Sequence, residues 1–91
     1  MSYEIVLTKI AQNDLKKLKK TGNKSILKKL NLLFNELREN PYFGTGKIEQ
    51  LKYYEIPTYS RRINKEHRLV YRVDNNKIIV LVLSCYGHYL D

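Results

Sequence analysis

The segment Tyr59-Ser60-Arg61-Arg62-Ile63-Asn64-Lys65-Glu66-His67-Arg68-Leu69-Val70-Tyr71-Arg72-Val73 consists of two alternating runs around a polar turn. The pattern predicts a β-hairpin, with strands over 57–64 and 67–73 joined by Asn64-Lys65-Glu66. Side chains on a strand alternate between faces, so Ile63 on the first run and Leu69, Tyr71 and Val73 on the second face inward, and Arg68 and Arg72 occupy the opposite face. Downstream, Asp74-Asn75-Asn76 turns into 77–84, whose continuous apolar residues suit a central strand covered on both faces.

Upstream, Tyr3, Ile5 and Leu7 alternate with Ser2, Glu4, Val6 and Thr8, as an opening strand with one better-buried face would. Thr8 is placed to cap a helix in which Ile10, Ala11, Leu15 and Leu18 recur at helical spacing. Lys16, Lys17, Lys19 and Lys20 crowd its last turn, where positive charge complements exposed carbonyls. Thr21-Gly22-Asn23 ends that helix, and Asn23 caps a second one with an apolar stripe of Ile26, Leu27, Leu30, Leu33, Phe34 and Leu37. Asn40-Pro41 stops it, because proline disfavours helical geometry at the preceding residue. Gly44 and Gly46 are expected to form a flexible loop into a short strand over 49–53. The order β-α-α-β-β-β-β predicts an α+β domain spanning 1–91, with a two-helix antiparallel hairpin packed on a mainly antiparallel, twisted sheet.

Ninety-one residues fit one domain, and 17 Lys and Arg against nine Asp and Glu give a net charge of +8, which favours polyanionic partners. Cys85 is the only cysteine, so no intramolecular disulfide is available, in keeping with a reducing compartment such as the cytoplasm. The N-terminus lacks the apolar stretch of a signal peptide, and the longest apolar run, 78–83, is far shorter than the ~20 residues a membrane helix needs. One cysteine and two histidines provide neither zinc-ligand spacing nor a carboxylate cluster for magnesium, and Gly44-x-Gly46 is too short for a P-loop; no metal or other cofactor is expected.

Three residue types in the second half fit metal-free RNA cleavage, in which a 2′-hydroxyl attacks its own phosphate. Glu49 is a carboxylate able to accept the 2′-hydroxyl proton, although by itself it also reads as a solvated glutamate at a strand edge. Arg68 carries a guanidinium able to grip a phosphate through two parallel hydrogen bonds. His88 holds an imidazole able to donate a proton to the leaving 5′-oxygen, or is a tail histidine without a role. Arg61 and Arg62 must point to opposite faces, so at most one of them shares a surface with Arg68. His67, next to Arg68, points away from that surface and reads as structural.

Four segments in order, Gly44-x-Gly46-Lys47-x-Glu49-x-Leu51-Lys52, Ser60-Arg61-Arg62-Ile63, His67-Arg68-Leu69-Val70-Tyr71 and His88-Tyr89, make the chain resemble the ribosome-dependent mRNA endonuclease toxins of the YoeB branch of the RelE superfamily. The resemblance runs from Met1 almost to the end. It implies Glu49 as base, Arg68 as the phosphoryl-stabilising cation and His88 as acid, with Lys52, Arg62 and Tyr89 as substrate-binding groups. It also implies partners: an acidic, partly disordered YefM-like antitoxin, the A site of the small ribosomal subunit with its mRNA, and often a second copy in a homodimer. Two rivals accompany it: a gyrase-poisoning toxin of the same fold, and a basic RNA-binding module without catalysis. The chain departs from the pattern in flanking Glu49 with Ile48 and Gln50, where its relatives commonly have prolines, and in continuing through Leu90 and Asp91, two further negative charges with the chain terminus.

Overall fold

The computed structural model describes residues 2–87. Its elements are β1 (Glu4–Leu7), α1 (Lys9–Lys20), α2 (Lys24–Glu39), β2 (Glu49–Gln50), β3 (Tyr59–Arg62), β4 (Arg68–Asp74) and β5 (Ile79–Ser84). The expected order is therefore found, with strands trimmed at their ends. β2 holds only two residues, because the chain turns away after Gln50 and the positive φ of Tyr53, 69°, belongs to a turn.

Both helix starts form as their capping residues require. Thr8 takes an extended conformation, and its Oγ1 accepts from the Ala11 N–H at 3.1 Å. The same hydroxyl donates to the Leu83 carbonyl at 2.9 Å, and the Thr8 N–H donates to Val82 at 3.0 Å, so the cap also fastens α1 to β5. Asn23 Oδ1 accepts from the Ser25 and Ile26 N–H groups at 3.0 and 3.2 Å and opens α2. That helix ends at Glu39, followed by Asn40 with ψ 105°, the extended geometry a following proline imposes.

The five strands form one sheet in the order β1-β5-β4-β3-β2, parallel between β1 and β5 and antiparallel elsewhere. Both helices cover one face. Ala11 and Leu18 of α1 and Ile26, Leu30, Leu33 and Leu37 of α2 meet Leu69, Tyr71, Val80 and Val82 of the sheet, with Ile63 and Cys85 completing the buried cluster. β5 is interior to the sheet as expected, but only its Val80 and Val82 face is closed, while Ile79 and Leu81 on the other side stay half-buried.

One expected core residue is not in the core. Ile10 is 65% exposed, because the buried stripe of α1 runs through Ala11, Asp14 and Leu18. Asp14 belongs on that stripe because its Oδ2 accepts the Cys85 N–H at 3.0 Å, satisfying a donor at the end of β5.

Candidate active site

Directly paired residues in a sheet share a face, so register alone assembles a surface. Glu49 pairs with Ser60 and Ser60 with Val70, giving one row across three strands. Leu69 and Tyr71 point into the helix-covered core, so this row lies on the opposite face. Two residues along, Arg62 pairs with Arg68 on the same face. Arg68 is half-buried, and its Nη1 donates to the Asn64 carbonyl at 3.1 Å, which steadies the guanidinium against the turn. From strand spacings, Glu49 and Arg68 lie roughly 12 Å apart at Cα, a gap that glutamate and arginine side chains can close around one phosphate.

Glu49 and Arg62 are exposed, and Lys52 is exposed in the loop directly after β2. The structure thus brings Glu49, Arg62 and Arg68 to one face, with Lys52 close in sequence to the β2 edge. His88 and Tyr89, with Leu90 and Asp91, lie outside the described residues. Ser60 stands in the row between the candidate base and Val70. The alternation that places Arg62 on this face also places Ser60 there, so it was open to the same sequence argument.

The segment before β2 differs from expectation. It is a hydrogen-bonded collar around Arg61, which is wholly buried on the core side of β3. Arg61 Nη2 donates to the Phe43 and Asn40 carbonyls at 2.8 and 3.3 Å, Nη1 to Glu36 Oε1 at 3.0 Å, and Nε to Tyr71 Oη at 3.2 Å. The Tyr71 hydroxyl donates onward to the Pro41 carbonyl at 2.8 Å. Glu36 in turn accepts from the Thr45 N–H and hydroxyl, each at 2.8 Å. A Cβ on Gly44 would stand 2.5 Å from Glu36 Oε1 and 2.7 Å from Arg61 Nη1, which is why glycine is needed at that point. The Arg62 N–H donates to the Gly46 carbonyl at 2.5 Å, joining the collar to the strand that carries the arginines.

Charge in the collar is settled by its contacts. Partial burial pushes the Glu36 carboxyl up, but the Thr45 hydrogen bonds and the charges of Arg61 and Lys29 outweigh it and hold its pKa below the ordinary carboxylate value. Burial raises the Tyr71 phenol, against the opposing hydrogen bond and charge of Arg61, so it stays a neutral donor. Burial, with the Asp14 charge, pushes the Cys85 thiol up to about 12. Among the described residues no three His, Cys, Asp or Glu side chains gather as a metal-binding group.

A two-helix hairpin on a five-stranded sheet is an architecture shared with bacterial toxins of solved structure. The "YoeB/ParE toxin from Agrobacterium tumefaciens" superposes with a TM-score of 0.85 at 34% identity, over 94% of this chain and 99% of that one. The toxin–antitoxin complex "YoeB-YefM" from Staphylococcus aureus, a heterotetramer, contains a chain that superposes with a TM-score of 0.79 at 39% identity, over 98% of this chain and 100% of that one. In sequence, "Toxin YoeB" of Synechocystis is 43% identical over 68 residues, 75% of this chain and 77% of that protein. A family profile described as "YoeB-like toxin of bacterial type II toxin-antitoxin system" matches residues 7–89, and the chain belongs to that family.

Proposed function

We propose that this toxin is a ribosome-dependent mRNA endoribonuclease that arrests translation by metal-free acid–base chemistry. The observation that carries the reading is the shared sheet face of Glu49, Arg62 and Arg68. Glu49 takes the proton of a 2′-hydroxyl as its oxygen attacks the adjacent phosphorus. Arg68 stabilises charge on the non-bridging oxygens, while Lys52 and Arg62 hold neighbouring phosphates. The bond from phosphorus to the 5′-oxygen breaks, His88 supplies the proton to that oxygen, and a 2′,3′-cyclic phosphate remains on the upstream fragment. Tyr89 stacks on or positions a base.

A site this small makes few contacts with RNA, so the ribosomal A site supplies the near-attack geometry that free messenger lacks. The complex formed by the S. aureus relative supports an antitoxin of YefM type as the cytoplasmic partner, an acidic segment of which covers the basic face. No helix among the described residues is long and apolar enough to cross a membrane.

Primer extension on programmed ribosomes tests the reading. Wild type yields a discrete new mRNA end, and Glu49→Gln lowers cleavage about 10²-fold or more while binding persists. A 2′-deoxy nucleotide at the attacked position abolishes the cut. Cutting that survives the deoxy substitution disproves the mechanism, and DNA breaks with intact mRNA would point to gyrase instead.

A further inference from the structure

Arg72 lies on the open face of β4 four residues beyond Arg68, so strand spacing sets the two roughly 13 Å apart at Cα. That is too far for both to hold one phosphate. Arg72 Nε donates to Thr58 Oγ1 at 3.0 Å, and the hydroxyl of Thr58, a wholly buried residue, donates in turn to the Ile56 carbonyl at 2.8 Å. The Tyr54 ring flanks the guanidinium, with its centroid 6.0 Å from Arg72 Cζ. The head group is thus oriented from two sides, and among the described residues neither Nη has a protein acceptor.

Beside it lies a cleft of about 500 Å³, within the roughly 300–1,000 Å³ of small-ligand sites, lined by Ile56, Leu81, Arg72 and the Asp74-Asn75-Asn76 turn. Leu81 pairs directly with Arg72 across the strands and is half-buried, and Ile56 is exposed, so part of the lining is aliphatic. Asp74 adds a carboxylate. Its Oδ1 already accepts the Asn76 and Lys77 N–H groups at 3.0 and 3.1 Å, which leaves Oδ2 as an acceptor.

These features select among the groups of an RNA strand. A phosphate would meet the Asp74 charge and an aliphatic surface that offers it no donor. A base has an apolar face for Ile56 and Leu81 and a polar edge for the two charged groups. Arginine only donates and a carboxylate only accepts, so that edge must carry paired acceptors with N–H groups next to them. Guanine does, because O6 and N7 match an arginine fork and its N1–H and 2-amino groups suit a carboxylate. Adenine sets an amino group where O6 would stand.

We propose that the Arg72 cleft is a base-reading subsite that takes a guanine flanking the nucleotide to be cut. The inference rests on the nuclease reading above, which brings single-stranded RNA onto this face. It adds sequence selection to a surface otherwise devoted to phosphates.

The test uses programmed ribosomes carrying messages that differ in one nucleotide near the cut. With guanine at one fixed flanking position, wild type shows a kcat/KM about tenfold above that with adenine. Arg72→Met keeps the aliphatic stem, loses the fork and cuts both messages alike. Placing 7-deazaguanine there removes the N7 acceptor and slows wild type but not Arg72→Met. Inosine removes the 2-amino group and slows wild type but not Asp74→Asn, which keeps the Oδ1 cap of the turn. Should Arg72→Met fail to fold, Arg72→Lys, a point charge without a fork, takes its place. Fluorescence anisotropy reads the subsite without cleavage: wild type binds an oligoadenosine RNA more tightly when it contains one guanosine, and Arg72→Met does not distinguish the two. No base preference in wild type, preference for another base, or a guanine preference that survives Arg72→Met overturns the proposal. So does an equal loss on every message, which marks a phosphate contact, or a changed oligomeric state with unchanged cutting, which marks a second copy over the cleft. In each of these cases cutting continues and the nuclease reading stands. A wild-type chain that distinguishes guanosine in binding but cuts no message overturns the nuclease reading and leaves the subsite.

Discussion

Arg61 and Arg62 are neighbours with opposite fates. Alternation along β3 sends Arg62 to the open face beside Arg68 and Arg61 into the core, where a cation persists only if its donors are met. Five oxygens from three separate places meet them, those of Glu36 on α2, of Asn40, Phe43 and Thr45 in the collar, and of Tyr71 on β4. Replacing Arg61 by Met takes a donor from each of these acceptors and leaves Glu36 with only its Thr45 bonds, and urea denaturation should record a loss of about 3–5 kcal/mol. Lysine will not substitute, because a point charge cannot reproduce a planar fork. Cys85 provides a second test at this scale. With its thiol raised to about 12 and buried, it should resist a thiol reagent at pH 8 in the folded protein and react freely in denaturant.

Among the elements, the collar over 40–46 links the end of α2 to the strand that carries Glu49. Its acid sensitivity follows from Glu36, whose pKa is lower folded than unfolded. A depressed carboxyl contributes stability that is fully present above the unfolded value, 4.5, and is lost as pH falls through the folded value. The unfolding midpoint should therefore drop on acidification below about pH 4.5, and Glu36→Gln should start lower and show a shallower drop. Equal slopes for the two proteins would contradict this assignment. The collar was not legible in the sequence. Two glycines near a proline read as a loose loop, and the arginine that organises them, Arg61, lies well downstream on a strand whose partners only the folded sheet defines. The caps, by contrast, were legible, because Thr8, Asn23 and Pro41 act on backbone within a few residues of themselves. Alternation likewise gave the face of Arg68 and separated Arg61 from Arg62, whereas the exposure of Ile10 depended on where Cys85 would need Asp14.

For the molecule as a whole, the charge of +8 is a statement about partners. Three proposed phosphate contacts, at Lys52, Arg62 and Arg68, give single-stranded RNA binding a slope of roughly −2 in log affinity against log salt. Removing Arg62 should flatten that slope by about 0.7, measurable by fluorescence anisotropy; an unchanged slope would take Arg62 out of the RNA contact. At this scale the sequence offers the proposed site as a set of residue types in order, of which the structure brings Glu49, Arg62 and Arg68 to one face. The hydrogen bond from the Gly87 N–H to His67 Nδ1 is not readable there, because it spans 20 positions and uses a backbone donor that no side-chain pattern records.

The parallel pairing of β1 with β5 joins the first strand among the described residues to the last. During synthesis the opening strand must wait with its hydrogen-bonding edge unmatched until the final strand is made, and the cap of α1 waits with it for Val82 and Leu83. A chain partway through synthesis therefore carries a fragment that cannot yet close its own sheet, and the fold is completed only once β5 has been made.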